Sequence, residues 1–372
     1  MSQLAASRMP GTASVHLVDL RKAYGDFHAV DGVSVDVRPG EFLTVLGPSG
    51  SGKTTTLLMI AGFVIPDGGD ILIGDRSVVR QPPHRRNVGM VFQNYALFPH
   101  MTVAQNIAYP LSVRGWDRRR IGERVAWALE LVRLEGAGGK YPRQLSGGQQ
   151  QRVALVRALV FEPAVLLMDE PLGALDRKLR LQMQIEIKRL QSRLGLTVVY
   201  VTHDQEEALI MSDRVAVMNH GRLVQVGAPQ ELYNAPASYF VADFVGDSNF
   251  LPGIVSEVSP DCAIVETRGK LRLPVGPAAL APGTGVRVSL RPEKIGIEPD
   301  SDRRGVPGVV EETVYMGEVI RYAVRVSDQE TLLVKVQTKH GAPSYGPGAT
   351  VRLDWRPEDV LVFADGEEEE AR

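Results

Sequence analysis

Cysteine is almost absent from this sequence of 372 residues, and no apolar run is long enough to span a membrane. The single cysteine, Cys262, excludes an internal disulfide framework and is typical of a reducing compartment. A membrane-spanning helix needs about 20 consecutive apolar residues, and the N-terminus has no apolar core of the kind found in signal peptides. We therefore expect a soluble cytoplasmic protein.

A strong net charge is lacking as well, because 42 Lys and Arg oppose 44 Asp and Glu, for a net charge of −2. A nucleic-acid-binding domain needs a basic surface that neutralises phosphates, so no nucleic acid is expected as a partner. We interpret the short basic clusters Arg85-Arg86 and Arg118-Arg119-Arg120 as solvated surface. The length favours two domains, since single cores stop growing at about 250–300 residues.

The residues from Gly47 to Thr54 fit the pattern G-x-x-x-x-G-K-[ST]. The apolar run 42–46 predicts a buried strand before this loop, and the apolar residues that follow Thr55 predict a helix after it. Glycines allow successive backbone N–H groups to face phosphate oxygens, and the helix N-terminus adds a partial positive charge. The alternative is a Gly/Ser-rich turn that happens to contain lysine, and the strand and helix around the loop favour the phosphate site.

This loop predicts a nucleoside triphosphate site in which Lys53 reaches the β- and γ-phosphates and Thr54 ligates Mg²⁺. A second Mg²⁺ contact is expected from Asp169, which follows an apolar run. The residues expected to bind the nucleotide in this loop are Gly47, Pro48, Ser49, Gly50, Ser51, Gly52, Lys53, Thr54 and Thr55.

The apolar runs predict an α/β fold. Four of them have the length and composition of buried strands, at 42–46, 88–92, 164–168 and 197–202. The segments between them have helical patterns, so we expect a mostly parallel sheet with helices on both faces. Apolar and polar residues alternate over two further segments, 15–20 and 33–37, which predicts an antiparallel β layer.

Polar side chains follow three of these strands, where ligands bind in α/β sheets. Gln93 follows one strand, Asp169 and Glu170 follow the next, and His203 follows the last. Glu170 is placed to accept a proton from an attacking water, and a buried carboxylate pair would be costly without a cation. His203 is either a capped core histidine or a γ-phosphate ligand. Tyr24 is either a half-buried strand residue or a platform on which adenine stacks.

The composition changes after about residue 240, where prolines and short alternating runs argue against long helices. We predict a flexible leader over 1–14, a nucleotide-binding domain over 15–240 with a helical subdomain at about 95–160, and a small β-barrel over 241–365. Runs 254–299 and 309–363 are interpreted as two halves of that barrel. Residues 366–372 contain four consecutive glutamates and predict a disordered acidic tail.

The segment Ser146-Gly147-Gly148-Gln149 lies shortly before Asp169, and with it the chain resembles the ATP-binding subunits of ABC transporters over residues 15–240. The resemblance implies a P-loop ATPase fold and a head-to-tail dimer with a second copy, in which Ser146, Gly147, Gly148 and Gln149 of one copy close over the ATP of the other.

Further roles are implied by the same resemblance. Tyr24 stacks on adenine, Gln93 senses Mg²⁺ and water, Glu170 is the general base, His203 is the switch histidine and Asp176 lies in the loop that communicates across the dimer. The family often has serine where this chain has Gly173, so that serine hydrogen bond is missing here.

The region after Gln93 has two interpretations. Residues 95–103 belong either to the core of the helical subdomain or, as in the family, to a groove for a cytoplasmic helix of the membrane-spanning partner. The C-terminal part resembles the TOBE-like regulatory barrel of importer ATPases, and residues 316–322 and 355–359 are most similar to the spermidine/putrescine branch.

The resemblance therefore implies an ATPase that powers solute import and lies peripherally on the cytoplasmic face of the plasma (inner) membrane. Its implied partners are two permease subunits and, indirectly, an extracytoplasmic solute-binding protein. Ferric iron, sugar and phosphonate are alternative solutes. A non-transport ABC ATPase acting on DNA or ribosomes and a non-hydrolytic regulator are alternative classes; the presence of both Glu170 and His203 argues against the regulator.

Overall fold

The computed structural model describes residues 11–173, 175–260, 262–276, 280–300, 305–339 and 344–364. The chain divides into two compact units, residues 1–232 and 233–372. The predicted boundary near residue 240 falls within the second unit. Within the described residues, no helix has both the length and the apolar character needed to cross a membrane.

The first unit contains the strands and helices of the nucleotide-binding region. Its strands are β1 (Val15–Tyr24), β2 (Phe27–Val37), β3 (Phe42–Leu46), β4 (Gly68–Ile73), β5 (Arg76–Ser77), β6 (Val88–Val91), β7 (Val165–Asp169), β8 (Val198–Thr202), β9 (Arg214–Asn219) and β10 (Arg222–Gly227). Its helices are α1 (Lys53–Ala61), α2 (Val103–Val113), α3 (Arg118–Leu131), α4 (Gly147–Leu159), α5 (Arg177–Leu194) and α6 (Gln205–Met211), and α7 (Pro229–Asn234) extends over the boundary.

A six-stranded sheet with the order β10-β9-β3-β8-β7-β6 lies at the centre of this unit. The neighbours from β9 to β6 are parallel, and only β10 runs antiparallel, in a hairpin with β9. All residues of β3 and β8 are buried, as continuous apolar strands of a covered parallel sheet should be. The predicted α/β fold with a mostly parallel sheet is confirmed.

The predicted antiparallel layer is also confirmed, as a sheet with the order β2-β1-β4-β5. Its inward side chains pack against α1 and one face of the central sheet, as shown by the cluster that contains Leu17, Val33, Leu43, Leu57 and Val201. Burial of this apolar surface is the main favourable term in folding.

Helices α4 and α5 cover the opposite face of the central sheet. Leu155 and Leu159 of α4 and Met183 and Ile187 of α5 belong to one cluster with Leu166 of β7. A third cluster joins α2, α3 and α4, and it includes Val125 and Leu129 of α3 and Val132 directly after that helix. The segment that was predicted to be helical is therefore built on its own small core beside the sheet.

The second unit is almost entirely β. Its elements after the boundary are α8 (Tyr239–Phe244), β11 (Asn249–Val258), β12 (Ala263–Thr267), β13 (Arg272–Val275), β14 (Gly285–Leu290), β15 (Gly296–Pro299), β16 (Val306–Tyr315), β17 (Val319–Arg325), β18 (Thr331–Gln337), β19 (Thr350–Asp354) and β20 (Val360–Ala364).

These strands form two antiparallel five-stranded sheets, β13-β12-β11-β14-β20 and β15-β19-β16-β17-β18. Each sheet takes four consecutive strands from one of the two predicted halves and its fifth strand from the other half. The assignment of each half to one part of the barrel was therefore wrong at β15 and β20. Alternating side chains of both sheets share one apolar core.

The predicted N-terminal leader and C-terminal acidic tail lie largely outside the described residues. Residues 1–10 of the predicted leader and the acidic tail over 366–372 are not described. Residues just before β1 are hydrogen-bonded to other parts of the first unit. Ala13 N donates to Ala164 O at 3.1 Å, and Gly74 N donates to Ser14 O at 2.9 Å.

Candidate active site

The loop between β3 and α1 has a backbone that only glycine allows at two positions. Gly50 and Gly52 have φ values of 82° and 98°. A Cβ on Gly52 would lie 2.1 Å from the carbonyl oxygen of Ala29, and a Cβ on Gly47 would lie 2.2 Å from that of Met218. The predicted glycines therefore permit a close backbone approach and a left-handed turn directly before the helix.

Two polar groups inside this loop suit phosphate oxygens. The buried ammonium of Lys53 donates to the carbonyl of Pro48 at 2.8 Å. Burial lowers the pKa of Lys53, and Glu170 and Asp169 oppose this shift. The Ser51 hydroxyl is buried and has no hydrogen-bond partner among the described residues. A loop that holds a buried cation and an unpartnered hydroxyl at a helix N-terminus fits a phosphate group.

Thr54 and Asp169, the two predicted Mg²⁺ ligands, are in contact. Thr54 Oγ1 donates to Asp169 Oδ1 at 3.1 Å. Burial raises the pKa of Asp169 and Glu170 adds to this, while the Thr54 hydrogen bond and Lys53 oppose it. The described residues hold no cluster of three His, Cys, Asp or Glu side chains suited to a metal. One hydroxyl and one carboxylate fit Mg²⁺, which commonly keeps several waters and binds substrate phosphates.

Glu170 meets the two other polar residues that end strands of the sheet. His203 Nδ1 lies 2.9 Å from Glu170 Oε1, and Gln93 Nε2 donates to Glu170 Oε2 at 3.3 Å. The His203 side chain is 57% exposed, so its interpretation as a core histidine is wrong. The structure therefore gathers the predicted base, the predicted switch histidine and the predicted sensor amide at one carboxylate.

Tyr24 is the last residue of β1, and its side chain is accessible. It is 52% exposed, which agrees with its interpretation as a half-buried strand residue and leaves part of the ring accessible to a base. The ammonium of Lys22 lies 5.5 Å from the centre of the ring. An exposed aromatic face of this kind is free to stack on a base.

Two predicted site segments lie at helix N-termini. Ser146 caps α4, since its side chain accepts from Gln149 N while Gln149 Oε1 accepts from Ser146 N. Asp176 caps α5 by accepting from Leu179 N at 3.0 Å. Among the described residues of one copy, the capping hydrogen bonds of Ser146 and Asp176 stay within their own helices, and Ser146–Gln149 have no hydrogen bond to the phosphate loop.

The chain is similar to known proteins over most of its length. A description of the ABC transporter family matches residues 30–173, and one of the TOBE domain matches residues 288–363. A spermidine/putrescine import ATP-binding protein from Rubrobacter xylanophilus is 49% identical, with 94% of this chain and 93% of the relative covered. One from Acidothermus cellulolyticus is 48% identical, with 98% and 97% covered.

The chain belongs to the ATP-binding proteins of ABC transporters. It is similar in structure to MJ0796, a bacterial ABC transporter cassette whose structure is dimeric, with 32% identity and a TM-score of 0.53 over 58% of this chain and 98% of that one. A second dimeric structure of that cassette holds ADP and Pi and gives a TM-score of 0.52 at 31% identity. The predicted family, ATPase class and C-terminal TOBE-like domain are confirmed.

The loop of this ABC protein after Gln93 is held by two polar residues that the sequence did not reveal. Arg157 of α4 donates to the carbonyls of Tyr95 and Ala96 at 2.8 Å each. Asn106, which is fully buried, donates to three carbonyls and accepts from Phe98 N at 2.9 Å. Tyr95 and Ala96 have φ values of 61° and 45°, so these bonds hold a strained backbone.

Burial differs along residues 95–103. Val103 is buried in the core of the helical subdomain and Tyr95 in the cluster that α4 and α5 form with the central sheet, whereas Pro99 and His100 are exposed. The sequence did not indicate that Phe63 and Ile65, in the turn after α1, are 58% and 68% exposed. The Phe63 ring lies 6.2 Å from that of Phe92, beside Gln93. Exposed apolar side chains therefore occur both in the turn after α1 and in the loop after Gln93.

A buried polar cluster that is formed by residues on either side of His203 in the chain was not predicted from the sequence. Tyr200 OH and Thr202 Oγ1 both donate to Glu207 Oε2, at 2.6 and 2.8 Å, and all three residues are buried. Burial raises the pKa of Glu207, and the two hydrogen bonds oppose the rise. The pattern Asp204-x-x-Glu207 is a capping signal that could have placed the start of α6; the contacts of Glu207 with the strand have no signal in the sequence.

Proposed function

We propose that this chain is the ATP-hydrolysing subunit of an importer for polyamines, with spermidine and putrescine as solutes. The observation that carries the proposal is that the relatives named for this import align with both units of the chain, over 94% and 98% of its length. A nucleotide-binding unit alone is common to many ABC proteins. Similarity that extends through the second unit favours the same transport system.

In this proposal Glu170 takes a proton from the water that attacks the γ-phosphate. Gln93 and His203 contact separate oxygens of the carboxylate, at 3.3 and 2.9 Å. These contacts fix its orientation, and general-base catalysis depends on the geometry of the proton transfer. His203 and Gln93 are exposed enough to contact the phosphate and the water as well.

Mg²⁺ would be held by Thr54 and Asp169, with Gln93 nearby, and it would supply charge neutralisation at the phosphates. Lys53, at the start of α1, would contact the β- and γ-phosphates after exchanging its bond to Pro48 for them. The backbone N–H groups that residues 47–55 offer, all but Pro48 having one, would bind the remaining phosphate oxygens, and Tyr24 would stack on adenine.

The site is completed by a second copy in this proposal. Ser146–Gln149 lie at the N-terminus of α4, where backbone N–H groups of the first helical turn can donate to a ligand and a negative charge is favoured. They would face the nucleotide of the partner copy, and Asp176 would lie at the same interface. The dimeric structures of the similar cassette support this arrangement.

Permease subunits would dock beside Gln93, which places the protein on the cytoplasmic face of the membrane. The exposed Phe63, Ile65, Pro99 and His100 offer an apolar and partly polar surface for a short helix. The nucleotide site would occupy the first unit, with the helical subdomain at about 95–160, and the second unit would be regulatory.

Uptake measurements test the proposed solute. Cells that lack this subunit, complemented with the native chain or with Glu170→Gln, are supplied with labelled putrescine, spermidine, ferric iron, maltose or a phosphonate. We expect polyamine uptake with the native chain and none with the variant. Unchanged polyamine uptake together with loss of another solute would reassign the substrate, and no change for any solute would favour a non-transport ATPase.

A further inference from the structure

Arg180 joins two segments of the site that are distant in sequence. It lies in the first turn of α5, where Nη1 donates to Asp204 Oδ2 at 3.0 Å and Nη2 donates to Leu175 O at 3.1 Å. The Arg180 and Asp204 side chains are 30% and 25% exposed. The Nε atom of Arg180 is buried without a hydrogen-bond partner in the described part of the chain. The guanidinium is therefore a partly buried bridge between two elements.

One end of the bridge fixes the backbone around His203. Asp204 follows His203 directly and uses its other oxygen to accept from Glu207 N at 3.1 Å, which caps α6. The backbone N–H of Asp204 donates to Thr202 Oγ1 at 3.0 Å. Both neighbours of His203 are thus anchored, and its ring faces Glu170 at 2.9 Å.

The other end of the bridge fixes the turn that follows Glu170. Gly173 N donates to Glu170 O at 3.3 Å, and Leu175 N donates to Leu172 O at 3.1 Å. Leu175 in turn offers its carbonyl to Arg180. The contacts therefore form a closed path from Glu170 through this turn and Arg180 to Asp204, and back through His203.

We propose that Arg180 is a positioning residue for hydrolysis, which fixes His203 relative to the turn that carries Glu170 and leads to Asp176. The proposal rests on the proposed function, because it concerns the geometry of that same site. A planar guanidinium can donate to a carboxylate and a carbonyl at once, whereas an ammonium on a flexible stem cannot hold both in a fixed geometry. In the part of the chain that the structure describes, Arg180 has no hydrogen bond to the phosphate loop or to Thr54, so it should affect turnover rather than nucleotide binding.

The test compares Arg180→Gln and Arg180→Lys with the native chain in steady-state ATP hydrolysis. We expect kcat to fall about 10- to 100-fold in Arg180→Gln, as for a small misplacement of catalytic groups, with the KM for ATP changed less than about threefold. Arg180→Lys keeps the ion pair and should recover part of kcat. A purely structural role would lower the melting temperature while leaving kcat of the folded enzyme unchanged, and that result would overturn the proposal.

Arg177→Gln is the matched control. Arg177 also joins α5 to α6, through an exposed pair with Glu206 at 3.8 Å, and within the described residues it has no hydrogen bond to Leu175 or Asp204. Its kcat should equal that of the native chain. Asp204→Asn keeps a capping side chain but removes the charge, and in combination with Arg180→Gln it should be no worse than the more impaired single variant. If the reductions in kcat of the two single variants multiply in the double variant, the two residues act independently and the shared bridge is contradicted.

The same assay separates this proposal from the proposed function. If the native chain does not hydrolyse ATP, or if Glu170→Gln is as active as the native chain, the proposed function fails. If those two behave as expected and Arg180→Gln has the kcat of Arg177→Gln, only the role of Arg180 is contradicted. If Arg180→Gln does not fold, Arg180→Lys and Asp204→Asn still decide between the outcomes.

Discussion

Thr54 Oγ1 donates to Asp169 Oδ1 across 3.1 Å, which joins the first turn of α1 to the end of β7. This contact places a hydroxyl and a carboxylate side by side although 115 residues separate them. The carboxylate is disfavoured in its charged form, because burial and the neighbouring Glu170 raise its pKa. In the absence of a cation, the site therefore carries an electrostatic cost that a divalent ion would relieve.

We predict that Asp169→Asn stabilises the nucleotide-free protein and abolishes Mg²⁺-dependent hydrolysis. The amide keeps an acceptor for Thr54 and removes the buried charge. The gain should be on the order of 2–4 °C in Tm, the shift that about 1 kcal/mol gives in a domain of this size. Calorimetry and ATPase assays check the two effects, with exposed Asp75→Asn as the control.

The same variant has a predictable pH dependence. Since the pKa of Asp169 is raised in the folded state from its ordinary value of 3.8, its contribution to stability is present below that value and is lost as the pH rises through the raised pKa. The stabilisation by Asp169→Asn should therefore be larger at neutral than at mildly acidic pH. An equal gain at both would contradict the buried charge as its cause.

Arg86 gives a prediction about stability alone. Its buried guanidinium donates at 2.7–3.0 Å to the carbonyls of Met59, Ile60, Val79 and Gln81. These hydrogen bonds join the end of α1 to the loop that precedes β6. Arg86→Met would leave these carbonyls unpaired, so we expect a loss of about 3 kcal/mol. Denaturant unfolding measures the loss, and the exposed neighbour gives a control, Arg85→Met, that should be close to neutral.

The sequence was sufficient for the strands and residues that carry a strong local signal. The run 42–46 is β3 as expected, because five buried residues, four of them apolar, bounded by a glycine-rich loop have few alternatives. Gln93, Glu170 and His203 could be grouped in advance because each follows a strand of one parallel sheet. The cluster of these residues then follows from the neighbouring positions of β6, β7 and β8.

Features that depend on tertiary contacts were not predictable in this way. The bond of Arg180 to Asp204 spans 24 residues and joins two helices whose relative placement no local pattern encodes. The exchange of β15 and β20 between the sheets of the second unit has the same origin, since short edge strands have similar patterns whichever sheet they join. Arg86 was interpreted as solvated, and this was wrong because arginine is rarely buried unless its donors are satisfied, as they are here.

Glu170→Gln should retain ATP affinity and lose most turnover. The amide cannot take the proton of water, while the phosphate loop and Thr54 are unchanged, so we expect a reduction in kcat of roughly 10²- to 10⁴-fold. The variant should also accumulate a nucleotide-bound dimer, which size-exclusion chromatography with ATP detects. Exposed Glu135→Gln is the control, and native turnover in Glu170→Gln would remove this residue from the role of base.

Mixing two inactive variants tests whether each site is shared between copies. Lys53→Ala removes the ammonium of the phosphate loop, and Ser146→Arg places a bulky cation where α4 begins. In a head-to-tail dimer each homodimer has two defective sites, whereas a heterodimer pairs one intact phosphate loop with one intact Ser146 segment.

We therefore expect ATPase activity in the mixture that neither parent shows, with a maximum near equal amounts, because random pairing then gives the largest share of heterodimers. Heterodimer formation is verified with two affinity tags, and thermal melting of Ser146→Arg verifies that loss of the cap on α4 leaves the chain folded. Mixtures that form heterodimers and stay as inactive as the parents would contradict a shared site in which one active half is sufficient for turnover. Activity in Lys53→Ala alone would instead contradict the role of the lysine at the phosphates.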